Sequence, residues 1–106
     1  EGATFLNVLA PCPRGWGYAT EDLMKINKLA IDTCYWPLYE VVNGVYKITY
    51  KPAKTLPIEE FLRPQKRFKH MFKPGNEWMI EEFQKEVDKR WQELLNLEEM
   101  TNKVAE

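Results

Sequence analysis

The sequence predicts an α+β architecture: one core strand, a helix, a β-hairpin, a short helix and a long C-terminal helix. Three observations lead there. Thr4–Leu9 (TFLNVL) is a short, β-prone apolar run that ends at Pro11, which suits a strand buried on both faces. Asn43-Gly44 lies between two β-prone stretches, the strongest short-range hairpin signal. From Glu77 onward, apolar residues recur at helical spacing.

One strand cannot make a sheet, so the expected neighbours of Thr4–Leu9 lie outside the 106 residues. The chain also starts with Glu1 and not Met, and the expectation is a fragment or processed product. Ala10–Ala19 (APCPRGWGYA) follows the strand. Its two prolines and two glycines predict an ordered loop without regular structure. Thr20 reads as an N-cap, with Glu21 and Asp22 complementing the dipole of a helix that runs to about Cys34. Leu23, Met24, Ile26, Ala30, Ile31 and Cys34 share its broad apolar face, and Pro37 prevents continuation.

A two-residue turn at Asn43-Gly44 pairs Val42 with Val45, Glu40 with Lys47, and Leu38 with Thr49. Tyr39, Val41, Tyr46, Ile48 and Tyr50 then form one face, while the other carries an opposite-charge pair across the strands. Lys51–Thr55 is a linker. Pro57 opens a short helix over Ile58–Leu62, and Pro64 interrupts it. Pro74-Gly75 is a turn and Asn76 caps the last helix, Glu77 to about Glu98. Its stripe is Met79, Ile80, Phe83, Val87, Trp91, Leu94 and Leu95, with Glu81–Lys85 and Glu86–Arg90 in the favourable i, i+4 order outside. Trp78 lies off the stripe and suits contact with another chain, and Thr101–Glu106 reads as a frayed tail.

Net charge is −1, from 15 basic and 16 acidic residues, which argues against a nucleic-acid binder. No apolar run has membrane length, and no signal peptide is legible. Two cysteines make no disulfide framework, so a reducing, cytoplasmic setting is expected. The single histidine, His70, has no legible catalytic partners, and neither a phosphate-binding glycine loop nor a metal-ligand spacing occurs. A self-contained active site is not expected.

Cys12 is the residue with chemical promise. It lies between Pro11 and Pro13, and Pro13 biases it towards extended backbone. Gly15 and Gly17 let the backbone approach a bulky group and offer N–H donors to it. These properties fit a rigid loop presenting a thiolate to an iron–sulfur cluster, but the residues alone favour a buried structural cysteine in a proline-rich turn. Trp16 is placed to shield whatever binds there. Cys34, on the apolar helix face, reads as a small hydrophobe. The segment Arg63–Lys73 interleaves six basic residues with Phe68 and Phe72. Single-strand nucleic-acid binding, a solvated face and a subunit contact are its possible readings.

Phe5-Leu-Asn-Val-Leu-Ala-Pro-Cys-Pro-Arg-Gly-Trp16 resembles a segment in the β subunit of archaeal-type, multi-subunit pyruvate:ferredoxin oxidoreductases. So do, in order, Lys28-Leu29-Ala30, Trp36-Pro37-Leu38-Tyr39-Glu40, Tyr50-Lys51-Pro52, Ile58-Glu59-Glu60-Phe61-Leu62 and Gln65-Lys66-Arg67-Phe68-Lys69-His70. The resemblance implies the C-terminal part of a subunit with an α/β thiamine-diphosphate-binding fold. Residues 1–35 would hold its last strand, the Cys loop and a helix, and residues 36–106 a hairpin and helical extension. It further implies that Cys12 is the fourth ligand of a 4Fe-4S cluster whose other three cysteines lie outside this chain. The activity would be oxidative decarboxylation of pyruvate to acetyl-CoA. Ferredoxin would accept the electrons, coenzyme A the acetyl group, and the rest of the β subunit and the other subunits would be partners. Thiamine diphosphate and Mg would belong to the parent subunit, since the family's pyrophosphate and metal motif is absent here. The chain alone is expected to be inactive. Cys34 stands where this family would be expected to carry a small residue such as glycine. Sister enzymes acting on other 2-oxoacids share similar segments. The alternative is a non-catalytic protein–protein interaction module with structural cysteines. A smaller expectation is that the basic segment attracts an acidic ferredoxin.

Overall fold

Turn residues and helical periodicity place most elements where the sequence predicts them, in a computed structural model that describes residues 2–105. Glu1 and Glu106 lie outside the described residues. The order is α1 (Pro13–Trp16), a 3₁₀ turn (Thr20–Asp22), α2 (Leu23–Asp32), β1 (Leu38–Val42), β2 (Val45–Tyr50), α3 (Glu59–Leu62), a 3₁₀ segment (Lys66–Phe72) and α4 (Glu77–Ala105). The α+β content and the long terminal helix agree with the sequence reading.

The core forms where α2, α3 and α4 meet. Ile26 and Ala30 from α2, Ile58, Phe61 and Leu62 around α3, Met71, and Val87 from α4 are buried together. Each large apolar side chain removed from water contributes about 1.5–3 kcal/mol, so Phe61, Ile26 and Leu62 dominate this cluster. Tyr35 covers Phe61 with ring centroids 4.6 Å apart, and Phe68 meets Phe83 edge-on at 6.0 Å.

The hairpin has the expected turn. Asn43 and Gly44 both take positive φ, 51° and 79°, as a type I′ turn requires. Val42 pairs with Val45, Val41 with Tyr46, Glu40 with Lys47, and Tyr39 with Ile48. Tyr39 and Tyr46 stack diagonally at 6.0 Å. One pairing is corrected: a bulge makes Leu38 face Tyr50 instead of Thr49. It falls at the end of the ladder beside Pro37, where no further pairing holds the register.

The expected core strand Thr4–Leu9 is not a strand. It carries no ladder, and Phe5 and Leu6 are 89% and 85% exposed. A strand exists only through its neighbour's hydrogen bonds. Among the described residues β1 and β2 pair with each other, and β2's other edge is taken. The helix after the loop is also shorter than expected. Thr20 does not cap it but opens a 3₁₀ turn, and α2 ends at Asp32. Conversely, the tail is not frayed, since α4 runs through Ala105.

That last turn of α4 has a reason to stay helical. The Tyr46 N–H donates to Thr101 Oγ1 at 2.9 Å, and Asn102 Nδ2 donates to the Tyr46 carbonyl at 3.1 Å. The Ile48 N–H donates to Glu98 Oε2 at 2.6 Å, and Lys51 Nζ donates to Glu98 Oε1 at 2.7 Å. Side chains of α4 thereby satisfy the outer edge of β2, the device that keeps an edge strand from pairing elsewhere.

Candidate functional site

The loop expected to lack regular structure contains one helical turn, α1 (Pro13–Trp16). Pro13 stands at the first helical position, where a missing N–H costs nothing, and Gly17 stands at the C-terminal cap with φ 76°. Prolines and glycines that exclude a long helix thus define the two ends of a short one. Cys12 is its N-cap, extended at φ −107° and ψ 109°, as the following proline demands.

Cys12 Sγ takes the place usually held by a serine or aspartate oxygen. The Gly15 N–H donates to it at 3.3 Å, and the Trp16 N–H donates to the Cys12 carbonyl at 2.8 Å. Cys12 is exposed. A Cβ on Gly15 would lie 3.5 Å from the sulfur, so glycine keeps the approach to that side of the sulfur clear. An exposed sulfur that already accepts a peptide N–H suits a thiolate ligand of an iron–sulfur cluster, because such bonds stabilise the thiolate and tune the cluster. Among the described residues no three histidine, cysteine or carboxylate side chains gather into a metal site.

The loop is tied to the basic segment from behind. The Lys66 N–H donates to the Gly17 carbonyl at 2.9 Å, and a Cβ on Gly17 would lie 2.7 Å from Lys66 Cβ. Trp16 meets Phe61 edge-on at 6.0 Å, and Arg67 lies over the Trp16 ring at 4.0 Å. Trp16 therefore anchors the turn to the core. Burial, and secondarily the Cys12 side chain, push the Tyr18 phenol above its ordinary value.

Cys34 is 4% exposed, as its place on the apolar side of α2 predicts, but it lies beyond the helix end at φ 63°. The Trp36 N–H donates to the Ala30 carbonyl at 2.9 Å across this turn. Left-handed residues after a helix are usually glycine, which gives the physical ground for expecting glycine here. Burial raises the Cys34 thiol above its ordinary value, with a hydrogen bond from Thr55 opposing.

Sequence reasoning placed Arg63–Lys73 as an undivided basic run. The structure separates its members. Arg63, though exposed, pairs with Glu59 at 3.1 Å and lies over Phe72 at 4.9 Å, Arg67 is half-buried, and Lys66, Lys69 and His70 are exposed. Gln65, at 1% exposure, is a structural member of this run that its composition does not mark. Its amide donates to the Phe61 carbonyl at 2.6 Å and its oxygen accepts from Arg67 Nε at 2.7 Å. A buried glutamine in a charged run leaves no pattern to find. A groove of about 660 Å³ opens between the hairpin and α4, walled by Tyr35, Trp36, Tyr46, Phe83 and Leu94. Cys12 does not line it.

No protein-family model matches the chain. Individual proteins do. It is 46% identical over 102 residues to the pyruvate synthase subunit PorB of Thermotoga maritima, covering 95% of this chain and 32% of that protein. It is 46% identical over 90 residues to PorB of Methanocaldococcus jannaschii, covering 85% and 29%. It is 44% identical over 102 residues to the ketoisovalerate oxidoreductase subunit VorB of Pyrococcus furiosus, covering 94% and 32%. The chain spans about a third of the length of the curated relatives it matches.

Proposed function

The chain belongs to the family of the PorB and VorB oxidoreductase subunits, matching their C-terminal part, and on that premise we propose that it serves a 2-oxoacid:ferredoxin oxidoreductase by giving Cys12 as one ligand to a 4Fe-4S cluster. The observation that carries the ligand role is the exposed Cys12 sulfur, fixed as an N-cap and already accepting the Gly15 N–H. When bound, the cluster supplies one-electron acceptance. This chain's residues hold and orient the thiolate: Pro13 sets its backbone, Gly17 closes the turn, and Trp16 fixes the turn to the core.

The remaining three cysteines, thiamine diphosphate and Mg belong to the rest of the subunit. Residues 1–35 complete its thiamine-binding domain, with Thr4–Leu9 becoming a strand once a neighbour is present. The exposure of Phe5 and Leu6 supports that reading. Residues 36–106 form the hairpin and helical extension. Pyruvate is the proposed substrate, supported by the PorB relatives, although the VorB relative is nearly as similar. Coenzyme A, ferredoxin and the other subunits are the proposed partners, in the cytoplasm. No described helix is long and apolar enough to cross a membrane.

The test is Cys12→Ser in the full-length β subunit within its complex. Iron and acid-labile sulfide are determined anaerobically, together with pyruvate-dependent ferredoxin reduction. Loss or conversion of one cluster with falling activity is expected. Unchanged iron content and activity would make Cys12 structural.

A further inference from the structure

Arg67 has no part in the ligand role proposed for Cys12, yet it packs on the turn that Cys12 caps. Its guanidinium lies 4.0 Å from the Trp16 ring centroid and 4.5 Å from that of Phe68. Nε donates to Gln65 Oε1 at 2.7 Å, and Gln65 is itself locked to the Phe61 carbonyl. Nη2 is buried and has no hydrogen-bond partner among the described residues. The ion pairs found among the described residues engage Arg63 and Arg90 but not Arg67.

A partly buried cation without an anion is costly, and native structures rarely keep one without a use. The second unpartnered buried polar atom among the described residues is the Tyr18 hydroxyl, on the loop that follows α1. Tyr18 follows that turn in sequence, and the Arg67 guanidinium lies over the turn's Trp16 ring. The Lys66–Gly17 backbone bond at 2.9 Å fixes the segment that carries Arg67 against that turn. Trp16, the ring under the guanidinium, is in the turn that Cys12 caps.

We infer that Arg67 is the resident positive charge of the Cys12 site, held on Trp16 so that it raises the reduction potential of the cluster Cys12 would ligate. The inference rests on the ligand role of Cys12. Its physics is simple. One-electron reduction adds one negative charge to the cluster, and a fixed cation nearby stabilises the reduced form more than the oxidised one. Arg67 acts through space as a positioning charge and makes no bond to iron.

The experiment is a redox titration of the anaerobic complex, followed by electron paramagnetic resonance, with dithionite as reductant. Arg67→Met and Arg67→Gln remove the charge, and the glutamine can keep a donor towards Gln65. Arg67→Lys keeps the charge. Neutral variants with wild-type iron content are expected to show a one-electron reduction constant lowered about tenfold, equivalent to about 59 mV. Arg67→Lys is expected to stay near wild type. A neutral variant that holds its iron and titrates at the wild-type potential overturns the inference, as does a lysine variant as low as the neutral ones. If neither neutral variant retains the cluster, the lysine variant decides: a cluster at wild-type potential supports the charge, and a lost cluster makes Arg67 a packing residue only. A Cys12→Ser complex with unchanged iron and spectrum removes the ligand role itself, whatever the Arg67 variants do.

Discussion

Gly17→Ala tests whether the Cys12 turn and the basic segment are one rigid unit. Gly17 has φ 76°, where an L side chain is strained by about 1–2 kcal/mol. The added Cβ would also lie 2.7 Å from Lys66 Cβ and 3.2 Å from Lys66 N, too close for either to stay in place. Overpacking of that kind costs about 1–3 kcal/mol. The sum is about 3 kcal/mol. Gly44→Ala is the control. Its φ is 79°, but nothing lies within 4 Å of the new Cβ, so only the strain remains. Urea unfolding should therefore place Gly17→Ala about 2 kcal/mol below Gly44→Ala. Amide hydrogen exchange gives the local reading. The Lys66 N–H, bonded to the Gly17 carbonyl, should exchange about thirtyfold faster in Gly17→Ala if 2 kcal/mol of local protection is lost. Equal stability of the two variants, with Lys66 exchange unchanged, would refute the idea that the loop is braced by this contact.

Two further outcomes follow from the same reasoning. Lys51 first, then the Ile48 N–H, hold the Glu98 carboxyl below its ordinary value of 4.5, so its contribution to stability is present above that value and lost as pH falls through the lower folded value. Glu98→Gln should cost about 1 kcal/mol at neutral pH and flatten the acid side of the stability curve; a variant that loses stability in acid as steeply as wild type would contradict this. At Cys34, glycine should come within about 1 kcal/mol of wild type, because relief of the left-handed strain offsets the lost burial, while the β-branched valine should cost about 2 kcal/mol or more. Thermal melts that rank valine above glycine would show that burial, and not backbone conformation, governs the position.

The basic run shows how composition misleads without contacts. Six basic residues in eleven suggest a single charged surface. In the fold, Arg63 and Arg67 lie on aromatic rings, and Lys66 carries the backbone bond to Gly17. A surface for an acidic partner would therefore rest on Arg63, Lys66, Lys69, His70 and Lys73, which are exposed, and not on the half-buried Arg67.

Short windows of sequence determined much of this chain. Asn43-Gly44 and the alternation around it set the hairpin, the apolar stripe from Met79 set the last helix, and two prolines marked Cys12. Each of those signals acts within a few residues, through allowed backbone angles or through one buried face. Tertiary structure decided the rest. Glu98 and Thr101 reach β2 across 50 and 55 residues, and nothing local in either segment announces the bond that keeps the last turn helical. Arg67 finds Trp16 only because the segment from Lys66 docks on Gly17. Thr4–Leu9 has the composition of a strand but no ladder, because a strand's hydrogen bonds belong to its neighbour as much as to itself.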